Sequence, residues 1–91
     1  MKRPVYRFRL YVAGQTRNSD QALFNLKALC GAYLANAHEI EVVDIARHPD
    51  RALDDGIFMT PTLVKLSPAP SRRIVGTLSE TDPVLQALGL A

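Results

Sequence analysis

The chain reads Met59-Thr60-Pro61-Thr62-Leu63, then Ser67-Pro68-Ala69-Pro70, and then Arg72-Arg73-Ile74-Val75-Gly76. The first and third segments are of strand type and the prolines between them indicate a tight turn, so this stretch predicts a β-hairpin. Pro61 stands at the entrance of the first strand, where its fixed φ and missing N–H disturb strand pairing least. The hairpin supplies two neighbouring strands of a sheet that the rest of the chain has to complete.

Upstream of the hairpin, the apolar pattern changes from strand to helix and back to strand. Apolar and polar residues alternate from Tyr6 to Val12, which predicts a first strand. Helical spacing of apolar residues predicts a helix over residues 19–34, with Asn18 and Gln21 at the spacing of a capping box. The β-branched run over residues 40–45 predicts a buried second strand.

The remaining helices complete a recognisable order of elements. Pro49 predicts the start of a short second helix and Gly56 its end, while Ser79 is expected to cap a final helix that includes Leu88. The order is then β-α-β-α-β-β-α. A right-handed βαβ unit followed by a hairpin and a helix is the thioredoxin plan. We therefore predict an α/β, thioredoxin-like fold with a mixed four-stranded sheet, in a single domain over residues 1–91.

Composition and charge exclude several classes of function. The 91 residues are 47% hydrophobic and 22% charged, as in an ordinary soluble domain. A net charge of +2 is too small to indicate nucleic acid or an anionic membrane. No apolar run approaches membrane-spanning length, and one cysteine provides no disulfide framework. We therefore expect a cytoplasmic protein that binds neither a membrane nor nucleic acid.

No catalytic, cofactor or metal site is expected. Thioredoxin redox chemistry needs two cysteines at the start of the first helix, whereas Cys30 is the only cysteine and lies inside the predicted helix, as a buried core residue. His38 and His48 have no further ligand at suitable spacing. Gly14 alone is no phosphate loop, and Asp44 is interpreted as a solvated strand end.

Basic residues on the predicted strands are interpreted as solvated side chains. Charges on the outer face of a sheet are usually hydrated, and adjacent strand residues point to opposite faces. No aromatic platform with interleaved basic residues is evident. The residues concerned are Arg7, Arg9, Lys65, Arg72 and Arg73.

Three blocks of this sequence resemble the KaiB family. Leu10-Tyr11-Val12-Ala13-Gly14-Gln15-Thr16, with Asn18-Ser19, resembles that family's opening strand and turn. Val42-Val43-Asp44-Ile45, with His48-Pro49, is similar to its second strand and exit. Thr60-Pro61-Thr62-Leu63, the proline turn, Arg72-Arg73-Ile74-Val75-Gly76 and Leu78-Ser79 resemble its most recognisable block. The resemblance extends over residues 9–88, nearly the whole chain.

The resemblance implies a non-enzymatic regulator of the cyanobacterial clock type. KaiB proteins bind the ATPase ring of KaiC, a RecA-like hexamer. The family is also metamorphic: one state is a tetramer with a rearranged C-terminal half, and the thioredoxin-like state binds the partner. Two folds of one sequence exchange only where their free energies differ by a few kcal/mol.

Two positions near the C-terminus are expected to control the fold state. Ala87 and Gly89 stand where clock-type KaiB proteins carry a Gly and an Asp. Ala in place of Gly favours a helix by roughly 0.5–1 kcal/mol, and Gly89 suits a helix end. We therefore expect the thioredoxin-like state at rest, as a monomer or dimer, with the rearranged tetrameric fold as the alternative.

In a thioredoxin-like domain, the loop before the hairpin lies beside the first helix's N-terminus and the second helix. A partner is therefore expected to contact Asn18, Pro49, Leu53, Asp54, Asp55, Met59, Thr60 and Pro61. Phe58 is expected to pack in the core. On the first helix, the second strand and the second helix, where the resemblance implies basic residues that contact partners, this chain has Gln21, Glu41 and Gly56. This change of charge leaves two partners open, a KaiC-like ATPase or a sensor histidine kinase.

A second class of function stays open at this point. A thioredoxin-fold enzyme without a Cys-x-x-Cys motif, glutathione-dependent or peroxide-handling, would use a hydroxyl at Thr16 or Ser19. Neither residue has an identifiable base to activate it. Glutathione binding distinguishes the two classes, because only the enzyme requires it.

Overall fold

The sheet and its helices follow the predicted order. The computed structural model describes residues 4–91. Its elements are β1 (Tyr6–Val12), α1 (Arg17–Tyr33), β2 (His38–Asp44), α2 (Pro49–Asp54), β3 (Thr62–Ser67), β4 (Arg72–Val75) and α3 (Thr81–Ala87). The strand order is β2-β1-β3-β4, with β1 parallel to β2 and both other pairs antiparallel. The predicted α/β, thioredoxin-like fold with a mixed four-stranded sheet is confirmed.

Strand alternation divides the core between the two faces of the sheet. Phe8 and Leu10 of β1 pack with α1 and α3, in a cluster that also buries Leu26 and Leu88. Tyr11, the next residue along β1, points to the opposite face and packs with residues of β2, β3 and α2. The sheet therefore carries α1 and α3 on one face and the short α2 on the other.

The N-terminus of α1 differs from the prediction. Thr16 is the N-cap, and its hydroxyl accepts a hydrogen bond from the backbone N–H of Ser19 at 3.3 Å. The predicted cap, Asn18, instead lies exposed in the first turn. Threonine and asparagine both accept such a bond, so the residue types did not identify the cap. The buried Ser19 hydroxyl accepts from Ala13 N–H at 3.2 Å, which joins the helix to the end of β1.

The predicted cap of α3 is also wrong, whereas its predicted end agrees with the structure. Glu80, and not Ser79, occupies the N-cap, and it makes no side-chain capping bond. At the other end Gly89 has φ +76°, its N–H donates to Gln86 at 3.1 Å, and Leu90 N–H donates to Leu85 at 2.8 Å. This is a Schellman motif, in which glycine supplies the left-handed residue.

Lys65 is buried, which corrects the prediction of a solvated strand charge. Its register position opposite Phe8 places it on the face that α1 and α3 cover, and its side chain is only 3% exposed. The ammonium group donates to the carbonyl of Leu88 at 3.5 Å and lies 5.6 Å from the Tyr6 ring centroid. A cation beside the last carbonyls of a helix is favourable because it complements the helix dipole.

Asp44 is a half-buried anchor and not simply a solvated strand end. Its carboxylate accepts from the N–H of Gly14 at 3.2 Å and from the N–H of Ala46 at 2.9 Å. The turn after β1 and the turn after β2 are therefore held together at the carboxyl ends of the two parallel strands. At the entrance of β3, the Thr60–Pro61 peptide is cis.

Candidate protein-binding surface

Large apolar side chains are exposed around α2 and the connection from α2 to β3. Leu53 is 72% exposed, Phe58 87%, Met59 63%, and Val75 of the neighbouring β4 is 55% exposed. We call these four residues the α2–β3 surface. Single exposed apolar residues are ordinary, but neighbouring ones of this size mark interaction sites. The surface is therefore a candidate for binding another protein.

A shallow groove connects part of this surface to the edge of the sheet. It has a volume of about 180 Å³ and is lined by Gly56, Ile57, Phe58, Met59, Thr62, Arg73 and Val75. The Arg73 guanidinium donates to the carbonyl of Gly56 at 3.2 Å, and the Thr62 hydroxyl donates to the carbonyl of Met59 at 2.6 Å. These bonds tie both ends of the connection to the hairpin, so that the apolar side chains project from a supported backbone.

The end of α2 explains why Phe58 is exposed, contrary to the prediction that it packs in the core. Gly56 has φ +66° and its N–H donates to Leu53 at 3.0 Å, while Ile57 N–H donates to Ala52 at 2.8 Å. This is again a Schellman ending, in which the residue after glycine turns back towards the helix. Ile57 is buried and takes the core position, which leaves Phe58 outside.

Behind α2, a polar network joins the end of the helix to β1. The Tyr11 hydroxyl donates to the carboxylate of Asp55, and Arg9 donates to the same carboxylate at 3.1 Å. These interactions lower the pKa of Asp55, first through the Tyr11 hydrogen bond. Burial, together with the carboxylate, raises the pKa of Tyr11. Asp55 is therefore engaged inside the protein, with part of its surface left accessible.

The network extends to the edge strand through Glu41. Arg9 Nε lies 2.7 Å and Arg51 Nη2 2.9 Å from the same oxygen, Oε1 of Glu41. The hydrogen bonds from Arg51 and Arg9 lower the pKa of Glu41 to about 2. Sequence reasoning missed this network. The signal that could have found it is the parallel register, which pairs Arg9 with Glu41 on the face that α2 covers.

The predicted contact residues divide into three groups. Pro49, Leu53, Asp54 and Met59 are exposed on or beside α2, where a partner can reach them. Pro61 is buried and Thr60 and Asp55 are half-buried, so they support this surface more than they form it. Asn18 is exposed on a different element, the first turn of α1. Contact of any of these residues with a partner stays a prediction.

The residues that an enzyme would need have other surroundings. Burial raises the pKa of the Cys30 thiol to about 11, and the hydroxyls of Thr16 and Ser19 are engaged at the start of α1. Within residues 4–91, no group of three or more His, Cys, Asp or Glu side chains is placed to hold a metal ion. In the same residues, no helix combines the length and apolar character needed to cross a membrane.

Comparison with known proteins identifies the family. The model of the KaiB domain matches residues 9–90. The circadian clock oscillator protein KaiB of Synechococcus elongatus is 42% identical over 97% of this chain and 86% of its own length. The circadian clock protein KaiB3 of a Synechocystis strain is 38% identical over 90% of this chain and 80% of its own.

Solved structures support the fold. The N-terminal domain of Synechococcus elongatus SasA superposes with a TM-score of 0.78 at 20% identity, covering 100% of this chain and 90% of that one. Chloroplastic thioredoxin z superposes with a TM-score of 0.73 at 16% identity, covering 96% and 81% of the two chains. Identities this low show a shared fold only, whereas the family model and the sequence relatives show common ancestry. The chain belongs to the KaiB family.

Proposed function

We propose that this chain is a non-catalytic, KaiB-type regulator that binds a KaiC-type, RecA-like ATPase ring through the α2–β3 surface and modulates its signalling or timing. Two relatives that it matches along most of their length are named as circadian clock proteins. A regulator acts by binding, and the thioredoxin-like state carries an exposed surface suited to that. The observation that carries the proposal is the exposure of Phe58 and Met59 beside α2.

The chemistry of the surface fits a protein partner better than a small molecule. Protein interfaces have an apolar centre, rich in aromatic residues and methionine, and a polar rim. Here Phe58 and Met59 form an apolar centre, with the guanidinium of Arg73 at the groove and the exposed Asp54 on α2. The groove of about 180 Å³ is smaller than a usual ligand pocket.

A matched pair of aromatic substitutions tests the proposal. Phe58 is 87% exposed on the α2–β3 surface and Phe24 is 73% exposed on α1, so neither side chain supports the core. We expect Phe58→Ala to weaken binding to the purified KaiC-type ATPase by roughly 30-fold, the size of an interface hot spot. We expect Phe24→Ala to leave the affinity within twofold of the wild-type value. Titration by calorimetry, with ATP and then with ADP, measures both.

The same titrations separate the proposal from its alternatives. Absence of wild-type binding to the ATPase in both nucleotide states refutes the proposed function. Binding that weakens equally in both variants refutes the assignment of the surface. A sensor histidine kinase that binds in place of the ATPase transfers the role to kinase signalling. Binding of glutathione, with none of either protein, returns the chain to the enzyme class.

A further inference from the structure

α2 has little apolar packing of its own to hold it on the sheet. It has six residues, of which only Ala52 is buried, and isolated helices of this length are unstable in water. Yet α2 carries Leu53 and leads directly to Phe58 and Met59. The orientation of the α2–β3 surface therefore depends on contacts that fasten α2 from outside.

Two ion pairs fasten α2, one from its middle and one from its end. The guanidinium of Arg51 pairs with the carboxylate of Glu41 on β2 at 2.9 Å. The carboxylate of Asp55, the C-cap, pairs with the guanidinium of Arg9 on β1 at 3.1 Å. The oxygen of the Tyr11 hydroxyl, which donates to Asp55, also lies 3.4 Å from the Arg51 carbonyl oxygen. The helix is thus held to the central strand β1 and to the edge strand β2.

Glu41 is the shared point of this arrangement. One of its carboxylate oxygens accepts from both Arg9 and Arg51, so its loss would break the link from α2 to β2 and leave Arg9 paired with Asp55 only. Isolated exposed ion pairs contribute little, but charges joined in a network contribute more. Glu41 is 48% exposed and Arg9 only 23%, so this network is partly shielded from solvent.

We propose that Glu41 is a positioning residue for partner binding: it acts through Arg51 and Arg9 to hold α2 in the orientation that presents Leu53, Phe58 and Met59 as one surface. This inference rests on the proposed function. A helix that moves in the free protein has to be ordered when the partner binds, and that ordering reduces the affinity. The affinity therefore depends on a residue that the partner need not touch.

The chain offers a matched control for Glu41. Glu39 lies two residues earlier on the same strand and pairs with Arg7 at 3.1 Å, in the same parallel register. Both members of this pair are 63% exposed, and none of the hydrogen bonds or ion pairs described for residues 4–91 links them to α2. Glu39→Gln therefore removes the same charge from β2 and leaves the attachment of α2 intact.

Two measurements on the whole chain test the inference. We expect Glu41→Gln to speed hydrogen exchange about fivefold at the amides of residues 55–57, and to weaken binding to the KaiC-type ATPase about fivefold, as for the loss of about 1 kcal/mol. Glu39→Gln changes neither quantity by more than twofold. Arg51→Gln breaks only the Arg51–Glu41 pair, so it should change both quantities in the same direction as Glu41→Gln but by less. Adding Arg51→Gln to Glu41→Gln changes little more, because the first variant has already lost that pair.

Each unfavourable result has a distinct meaning. Unchanged exchange in Glu41→Gln, with weaker binding, makes Glu41 a direct contact and overturns the positioning role. Faster exchange with unchanged binding shows that the orientation of α2 does not matter to the partner, and also overturns it. If the wild-type chain does not bind the ATPase at all, the proposed function fails together with this inference, whereas the exchange data still report whether Glu41 holds α2.

Discussion

Adding one methyl group at two glycines should shift stability in opposite directions. Gly89 has φ +76° and closes the Schellman ending of α3, whereas Gly31 lies inside α1. A β-carbon built at either position meets no atom within 4 Å, so neither substitution is opposed by a steric clash. Any difference between Gly89→Ala and Gly31→Ala must therefore come from the backbone conformation at each site.

The magnitudes follow from the conformation at each glycine. Ala in the left-handed region costs roughly 1–2 kcal/mol, and the lower conformational entropy of unfolded Ala offsets part of this, which leaves a net loss of about 1 kcal/mol for Gly89→Ala. Ala inside a helix is more favourable than Gly by roughly 0.5–1 kcal/mol, so Gly31→Ala gains that amount. The two variants should differ by about 1.5–2 kcal/mol, which corresponds to roughly 10 °C in Tm for a domain of this size.

Urea unfolding followed by circular dichroism measures both free energies, and hydrogen exchange at residues 84–90 locates the loss in α3 for Gly89→Ala. Size-exclusion chromatography first establishes that both variants have the same oligomeric state as the wild type. A Gly89→Ala variant as stable as the wild type would refute the argument, because it would show that the C-terminal segment does not end as a helix in solution.

Three further changes test the polar network and the core. Tyr11→Phe removes the hydroxyl that donates to Asp55, and should lower the free energy of unfolding by about 1–2 kcal/mol in urea titrations, because the carboxylate is left with Arg9 alone. The pKa of Glu41 is lowered to about 2 in the folded state. The ion pairs of Glu41 therefore stabilise the fold fully above the pKa that Glu41 has in the unfolded chain, and this stabilisation is lost as the pH falls from that pKa to the folded one. Between pH 6 and pH 2 the Tm should therefore fall less for Glu41→Gln than for the wild type; an equal fall in Tm contradicts the ion pairs. The Cys30 thiol is buried and its pKa is raised to about 11, so a thiol reagent at pH 8 should label it only after denaturant is added, and rapid native labelling would count against the packing of α1.

The buried Lys65 joins three elements that lie far apart along the chain. It extends from β3 to the C-terminal carbonyl of α3 and passes the ring of Tyr6 on β1. The C-terminal helix therefore depends on a cation from the sheet as well as on its own residues Ala87 and Gly89. The role of those two residues in choosing between folds stays a prediction, although the helix does end where they indicate.

The amino-acid sequence by itself determined the order of the elements, the hairpin with Pro61 at its entrance and the family. It also indicated where α2 and α3 end, because Gly56 and Gly89 adopt left-handed conformations that other residues avoid. These features depend on neighbours in the chain, so that local propensity and periodicity suffice to predict them. Pro49 also indicated the start of α2, whereas the predicted caps of α1 and α3 were wrong by one or two residues, because adjacent polar residues there offered alternative starts.

Only the tertiary structure decided which side chains are available to a partner. Phe58 is exposed because Ile57 takes the core position, and Lys65 is buried because α3 covers its face of the sheet. Arg9 meets Glu41, 32 residues away, only because β1 and β2 pair in one parallel register. Such contacts form between segments that are distant in the chain, and they leave no periodic pattern in the sequence from which they could be predicted.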